Sequence, residues 1–181
     1  MKGLSLIFSP GEVCFVQNLV YYIERAYRTP DFGMWGRGSK HNCGEPELCA
    51  SSVGTVRAAL GAIDGFNLYG KSGAAWSVIN VDQDALCRNQ RTLEALLPRQ
   101  SSSKFTDAAL LPTLSWPCFA INLTSMKAQE SLERITSSLE RPKGLIRFNK
   151  DGFGTHIEDK TRYHYLPAEL KKFDGISRVF W

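Results

Sequence analysis

The chain has 181 residues, with 22 Lys+Arg against 18 Asp+Glu for a net charge of +4; 43% of it is hydrophobic and 22% charged. These values are ordinary for a globular domain and exclude compositional disorder, collagen-like repeats and coiled-coil rods. A chain of this length buries roughly 70% of its unfolded surface, so a substantial core is expected, and its unclustered basic residues give no footprint for nucleic acid.

Residues 12–28 carry Val13, Val16, Leu19, Val20, Ile23 and Ala26 or Tyr27 at the 3.6-residue period of an amphipathic helix that Pro30 ends. Residues 31–46, rich in Gly, read as a loop. Leu48, Ser52, Val53, Val56, Ala59, Leu60 and Ile63 mark one face of a second helix, closed at Asp64-Gly65. Ala50, Ser51, Gly54 and Ala58 on that helix allow close helix contact. A loop with a short β-branched run, Val78-Ile79-Asn80-Val81, precedes a third helix capped by Asp82 or Asp84 and stopped at Pro98. Residues 98–107 read as a polar, exposed loop and 108–121 as a buried segment broken by Pro112 and Pro117. Thr124 or Ser125 caps a fourth helix with Leu132, Ile135 and Leu139 in phase. A last helical piece spans Pro167 to Phe173. The expected class is mainly α, with helices joined by long loops and few short strands.

The opening residues, Met1 to Phe8, are too short an apolar run for a signal peptide, and no stretch reaches the length of a membrane span. The cytosol is therefore the expected compartment. Five cysteines at irregular spacing suit reduced thiols, with Cys14 and Cys118 read as small core residues. Asn122-Leu123-Thr124 is a glycosylation sequon without meaning in that compartment. His41, Cys43 and Cys49 alone have a metal-ligand flavour, but they lack paired spacings, so neither metal nor cofactor is expected.

Gly65-Phe66-Asn67-Leu68-Tyr69-Gly70-Lys71-Ser72 matches the phosphate-loop pattern letter for letter, and Val78 to Asp82 resembles its partner strand. A working phosphate loop needs a strand before it and a helix after it. Here a helix precedes and no room for one follows, so a turn with an exposed Lys71 is expected. Arg99 lies three residues before Ser102, a candidate phosphorylation site. In Pro30-Asp31-Phe32-Gly33-Met34-Trp35-Gly36-Arg37-Gly38, a Trp and an Arg stand in a Gly-rich loop beside a small-residue helix. Asp31, Trp35 and Arg37 are candidates for a sugar-facing cleft, since indole faces stack on sugars and guanidinium binds hydroxyls; a Trp buried under its loop is the plainer reading.

The segments PDFGMWGRGSK, ASSVGTVRAALGAIDGFNLYG, SVINVD, LLPRQSSSKFTDAALLPTLSWPCFAI, RFNKDGFGTHIED and YLPAELKKFDGI occur in that order. Together they resemble the regulatory α and β subunits of phosphorylase kinase, and GFNLYG, WSVI, RNQRTLEALLPR and TDAALLP lean towards β. The resemblance runs from about Glu12 to the C-terminus. It implies a glucoamylase-like (α/α)6 toroid, of which residues 1–181 are one incomplete domain of a longer subunit. It also implies a non-catalytic regulatory role in glycogen breakdown, in a complex with an α subunit, a catalytic subunit and calmodulin. Lipid anchorage at the plasma membrane belongs to the full-length subunits, and this chain ends without a prenylation box. Inverting glucoamylases use an acid and a base carboxyl roughly 6.5–9.5 Å apart. The acid position, right after the Trp matched by Trp35, is Gly36 here, so hydrolysis is not expected. Glu45 and Glu47 read as caps and solvated charges. The alternative to a regulatory piece is a remnant that binds or hydrolyses glucan.

Overall fold

The computed structural model describes residues 7, 9–34, 40–178 and 180. Helix α1 spans Pro10–Ala26 and begins earlier than the hydrophobic period alone suggests. Ser9 and Glu12 form a capping box in which the Ser9 N–H donates to Glu12 Oε2 at 2.8 Å and the Glu12 N–H to Ser9 Oγ at 3.4 Å. Pro10 sits where no intrahelical N–H is needed. Val13, Val20 and the capping Tyr27 point inward, whereas Leu19 is exposed. Cys14, expected in the core, is one position off the buried stripe and exposed. Cys118 is half-buried in a loop, and the buried cysteine is instead Cys49.

Helix α2, Ala50–Ile63, is the centre of the fold and packs against α1, against α3 (Gln83–Leu96) and against the short α4 (Leu111–Leu114). Its close approach to α4 depends on Gly54, because a Cβ there would overlap the side chain of the fully buried Thr113. Ala59, predicted on the packed face, is exposed. α2 ends at Asp64, where the Asp64 N–H donates to Leu60 O at 3.1 Å and Gly65 turns the chain at φ +71. The following residues hold two 3₁₀ turns, Gly70–Ser72 and Ala75–Ser77. The β-branched run forms one bridge, Asn67 to Val78: Ile79 still pairs with the backbone of Gly65 and Phe66, but the N–H groups of Asn80 and Val81 go to the side chains of Gln17 and Asp64. Gln17 of α1 exchanges two hydrogen bonds with the Asn80 backbone, at 2.7 and 2.9 Å, and the buried Glu24 accepts from the Asp82 N–H at 2.8 Å.

Asp82 caps α3 as predicted, accepting from the Asp84 N–H at 2.9 Å. A buried 3₁₀ turn, Ala108–Leu110, runs into α4, and Ser125 caps α5, Met126–Leu139. A two-stranded hairpin follows, β1 (Glu140–Arg141) against β2 (Gly144–Leu145), with Glu140 opposite Leu145. Strands of two residues carry no alternation, so this element has no sequence signal.

The main core joins Ala50 and Val53 of α2, Leu93 of α3, Leu110, Leu114, Ile135 and Leu139 of α5, and Ile146. A second cluster sets Val13 and Val20 of α1 against Leu60, Ile79 and Val81. A third holds the C-terminal segment through Tyr165, Leu170 and Phe173, the last two in a 3₁₀ helix, Glu169–Phe173.

Candidate functional site

The loop between α1 and α2 carries the predicted cleft residues. Asp31 and Glu47 clamp its two ends through reciprocal backbone hydrogen bonds of 2.8 Å each. The Asp31 carboxylate is half-buried and accepts from the Gly33 N–H at 2.7 Å, which spends one of its oxygens on its own turn. Trp35, Gly36 and Arg37 lie outside the described residues, so of the three predicted cleft positions Asp31 alone has a described environment.

Residues 100–104 fold back over this clamp. The Gln100 carbonyl accepts from the Ala50 N–H at 2.7 Å, and its side chain brackets Ser51, accepting from its N–H at 3.1 Å and donating to its Oγ at 2.6 Å. Cys49, at the N-cap position of α2, makes no side-chain cap bond, so Gln100 caps the helix from a remote loop. Gln100 and Ser101 are each 1% exposed, which corrects the expectation of an exposed loop at these two positions, while Arg99, Ser102 and Ser103 are exposed as expected; Gln100 is buried because α2 needs partners for its first amides. Glu47 is likewise no solvated charge. It accepts from Ser101 Oγ at 2.8 Å, from the Ser103 N–H at 2.9 Å and from Ser103 Oγ. Burial pushes the Glu47 carboxyl up, but the hydrogen bonds from Ser103 and Ser101 outweigh it and hold the group below its ordinary value. Glu45 is exposed, as predicted. Lys104 Nζ donates to Phe32 O at 3.1 Å and ties the latch to the start of the predicted cleft loop. Ser102 is exposed, and its carbonyl accepts from the Arg99 guanidinium.

The phosphate-loop look-alike is a closed turn. The N–H groups of Gly65, Leu68, Gly70 and Gly73 donate to Ile79, Ser77, Asn67 and Gly70 carbonyls respectively, so these amides are not aimed at a ligand. Asn67 Oδ1 accepts from the Tyr69 N–H at 3.0 Å and from Ser77 Oγ at 2.8 Å, and Lys71 is exposed.

His41, Cys43 and Cys49 go separate ways. Among the described residues no group of three or more His, Cys, Asp or Glu is placed to hold a metal ion. Cys43 Sγ donates to Glu45 O at 3.4 Å. Cys49 Sγ points to Asp31 O at 3.8 Å, and burial pushes its thiol up to about 12. His41 is 1% exposed and packs on Tyr165 and Phe173.

Two charged pairs escaped the residue-level reading. Arg147 Nη2 lies 2.6 Å from Asp151 Oδ2, with the side chains 9% and 0% exposed, and Lys40 Nζ lies 2.9 Å from Glu158 Oε1. Removing one partner of a pair as buried as the first leaves an uncompensated charge, worth about 3–5 kcal/mol. The i,i+4 spacing of Arg147 and Asp151 was the available signal, but their segment carries no helical period. Arg147 also accepts, through its carbonyl, from the Ala108 N–H at 2.8 Å, which joins the C-terminal third to the buried 3₁₀ turn.

Residues 1–162 match the sequence profile of glycosyl hydrolases family 15. The chain belongs to that family. Proteins similar to it include regulatory subunits by name. It is 52% identical over 176 residues to "Probable phosphorylase b kinase regulatory subunit beta" of Drosophila melanogaster, covering 97% of this chain and 16% of that protein. It is 49% identical over 186 residues to the liver isoform of the phosphorylase b kinase regulatory subunit alpha of Oryctolagus cuniculus, covering 99% and 15%. For the alpha subunit of Drosophila melanogaster the identity is 44% over 176 residues, covering 97% and 14%. The chain thus spans 14–16% of the length of these relatives, and both beta and alpha types are similar to it along nearly its whole length. The mainly helical architecture agrees with a glucoamylase-like helical domain. No helix among the described residues is long and apolar enough to cross a membrane.

Proposed function

We propose that this chain is a non-catalytic regulatory piece of a phosphorylase kinase subunit, acting in the control of glycogen breakdown. The observation that carries the reading is 52% identity to a protein named as a regulatory subunit, over 97% of this chain. On this reading residues 1–181 are part of an (α/α)6 toroid completed by further helices of a longer protein. Its partners are the α subunit, the catalytic subunit and calmodulin, in the cytoplasm, with any membrane association owed to a lipid elsewhere in the subunit. Gly36 stands where the family has its general acid, and a residue without a side chain can neither donate nor accept the proton that glycoside cleavage needs. Ser102, exposed beside Arg99, is the phosphoacceptor on the same reading, since a phosphate there gains a charge-assisted contact. The test is affinity capture with the tagged chain from cells expressing the complex. Recovery of the α and catalytic subunits is expected, and recovery of neither overturns the assignment.

Membership of glycosyl hydrolases family 15 favours a second reading, in which Asp31, Trp35 and Arg37 face a glucan without cleaving it. Retention on immobilised malto-oligosaccharide, lost in Trp35→Ala, supports it. Release of glucose by the unmodified chain would show instead that catalysis survives Gly36.

A further inference from the structure

The latch, the turn after β2 and the C-terminal cluster enclose a cleft of about 350 Å³, lined among others by His41, Lys104, Thr106, Ser138, Asn149 and Lys150. That volume lies in the range of small-molecule sites. His41 forms part of its lining while only 1% exposed, and neither ring nitrogen has a hydrogen-bond partner. Its ring is held 5.5 Å from Tyr165 and edge-on to Phe173 at 5.0 Å. Burial lowers its pKa, with Asp151 and Glu158 acting against it and Lys40 and Arg147 in the same direction, which favours the neutral imidazole. A neutral imidazole offers one donor and one acceptor, and buried polar groups rarely stay unpaired.

The charge on the cleft lining is one-sided. No carboxylate lines the cleft among the described residues, while two lysines do. The nearby acids are already engaged: Glu158 by Lys40, Asp151 by Arg147, and Glu47 by Ser101 and Ser103. Lys104 gives one N–H to the Phe32 carbonyl, and neither it nor Lys150 forms an ion pair among the described residues. Behind them, the Arg134 and Arg99 guanidiniums lie over the Phe105 ring at 4.2 and 5.2 Å. This arrangement favours an anion. It disfavours a nucleobase, because Phe105 is occupied by these guanidiniums and Phe148 has the Arg147 guanidinium 5.9 Å from its ring centre. Thr106, Ser138 and Asn149, also in the lining, are hydroxyl and amide groups suited to a polyhydroxylated ligand.

We propose that this cleft binds a phosphorylated monosaccharide, with its phosphate between Lys104 and Lys150, its hydroxyls on Thr106, Ser138 and Asn149, and the buried His41 ring beneath it. Calorimetric titration of the full chain with glucose 6-phosphate tests it, with glucose, inorganic phosphate and AMP as comparison ligands and the His41 ring followed by NMR. Saturable binding of glucose 6-phosphate with a shift of the His41 ring resonances is expected, weakened about tenfold by loss of one charge-assisted contact in Lys150→Ala. Lys150 is exposed, so that substitution leaves folding intact. Equal affinity for glucose overturns the anion assignment, and equal affinity for inorganic phosphate overturns the sugar. Tighter AMP binding overturns the ligand class. Absence of heat and of a His41 shift, or an unchanged affinity in Lys150→Ala, overturns the site.

Discussion

Replacing Gln100 by Ala isolates the contact on which the first turn of α2 depends. The side chain makes two hydrogen bonds to Ser51, at 3.1 and 2.6 Å, and both residues are 1% exposed, so water cannot take its place without opening the site. A buried donor or acceptor left unpaired costs about 1–3 kcal/mol, and loss of an N-cap about 0.5–2 kcal/mol. These terms overlap, because the Ser51 N–H that loses its acceptor is also the amide that the cap serves, so we expect about 2–4 kcal/mol in total. Urea unfolding of wild type and Gln100→Ala measures this, with the slope held common to both. Ser51→Ala and the double variant complete a cycle in which the two substitutions are expected to be non-additive. Amide exchange should also accelerate first at Ala50 and Ser51. A loss below about 0.5 kcal/mol, the range of ordinary surface substitutions, or strict additivity would refute the capping argument.

Three further outcomes follow from the packing and the charges. Gly54→Ala should destabilise the chain by about 1–3 kcal/mol through overlap with buried Thr113, whereas Gly61→Ala, which meets the mobile tip of Arg57, should be neutral or stabilising; thermal unfolding separates the two. The Glu47 carboxyl lies below its ordinary value of 4.5 in the folded state, so its contribution is present above that pH and is lost as pH falls through the folded value. The acid limb of the stability curve should therefore be shallower in Glu47→Gln, and an unchanged limb would contradict the latch. Iodoacetamide at neutral pH should label exposed Cys14 and Cys87 but spare Cys49 until the chain unfolds, because the Cys49 thiol is buried and its pKa is raised to about 12; mass spectrometry reads the order.

Signals that act within one turn of helix were legible without coordinates. Asp82 and Ser125 cap α3 and α5 because each hydroxyl or carboxylate reaches an amide two or three residues on. Ser9 shows the limit of reading by period: its capping box extends α1 to Pro10, ahead of the first apolar residue of the stripe. In the predicted cleft, Asp31 turned out to spend a carboxylate oxygen on Gly33, a short-range bond that any Asx turn permits. The loop motif containing Trp35 and Arg37 was visible as a family resemblance and not as geometry. His41 and Lys150, which share the cleft with Lys104, stand more than a hundred residues apart in the sequence, and nothing local marks them as neighbours.

Composition, periodicity and ordered motifs determined a mainly helical chain of glycosyl hydrolases family 15, similar to kinase regulatory subunits, with α1, α2, α3 and α5 placed to within a few residues and α4 read only as part of a buried segment. These are properties of chain segments, set by side-chain period and by bonds between near neighbours. Tertiary structure alone decided which polar groups are buried: Gln100 on Ser51, Ser101 on Glu47, Arg147 on Asp151 and His41 among aromatic rings. The reason is desolvation. Whether a glutamine is a solvated loop residue or a structural cap depends on what excludes water from it, and for Gln100 that is a helix end 49 residues away in the chain.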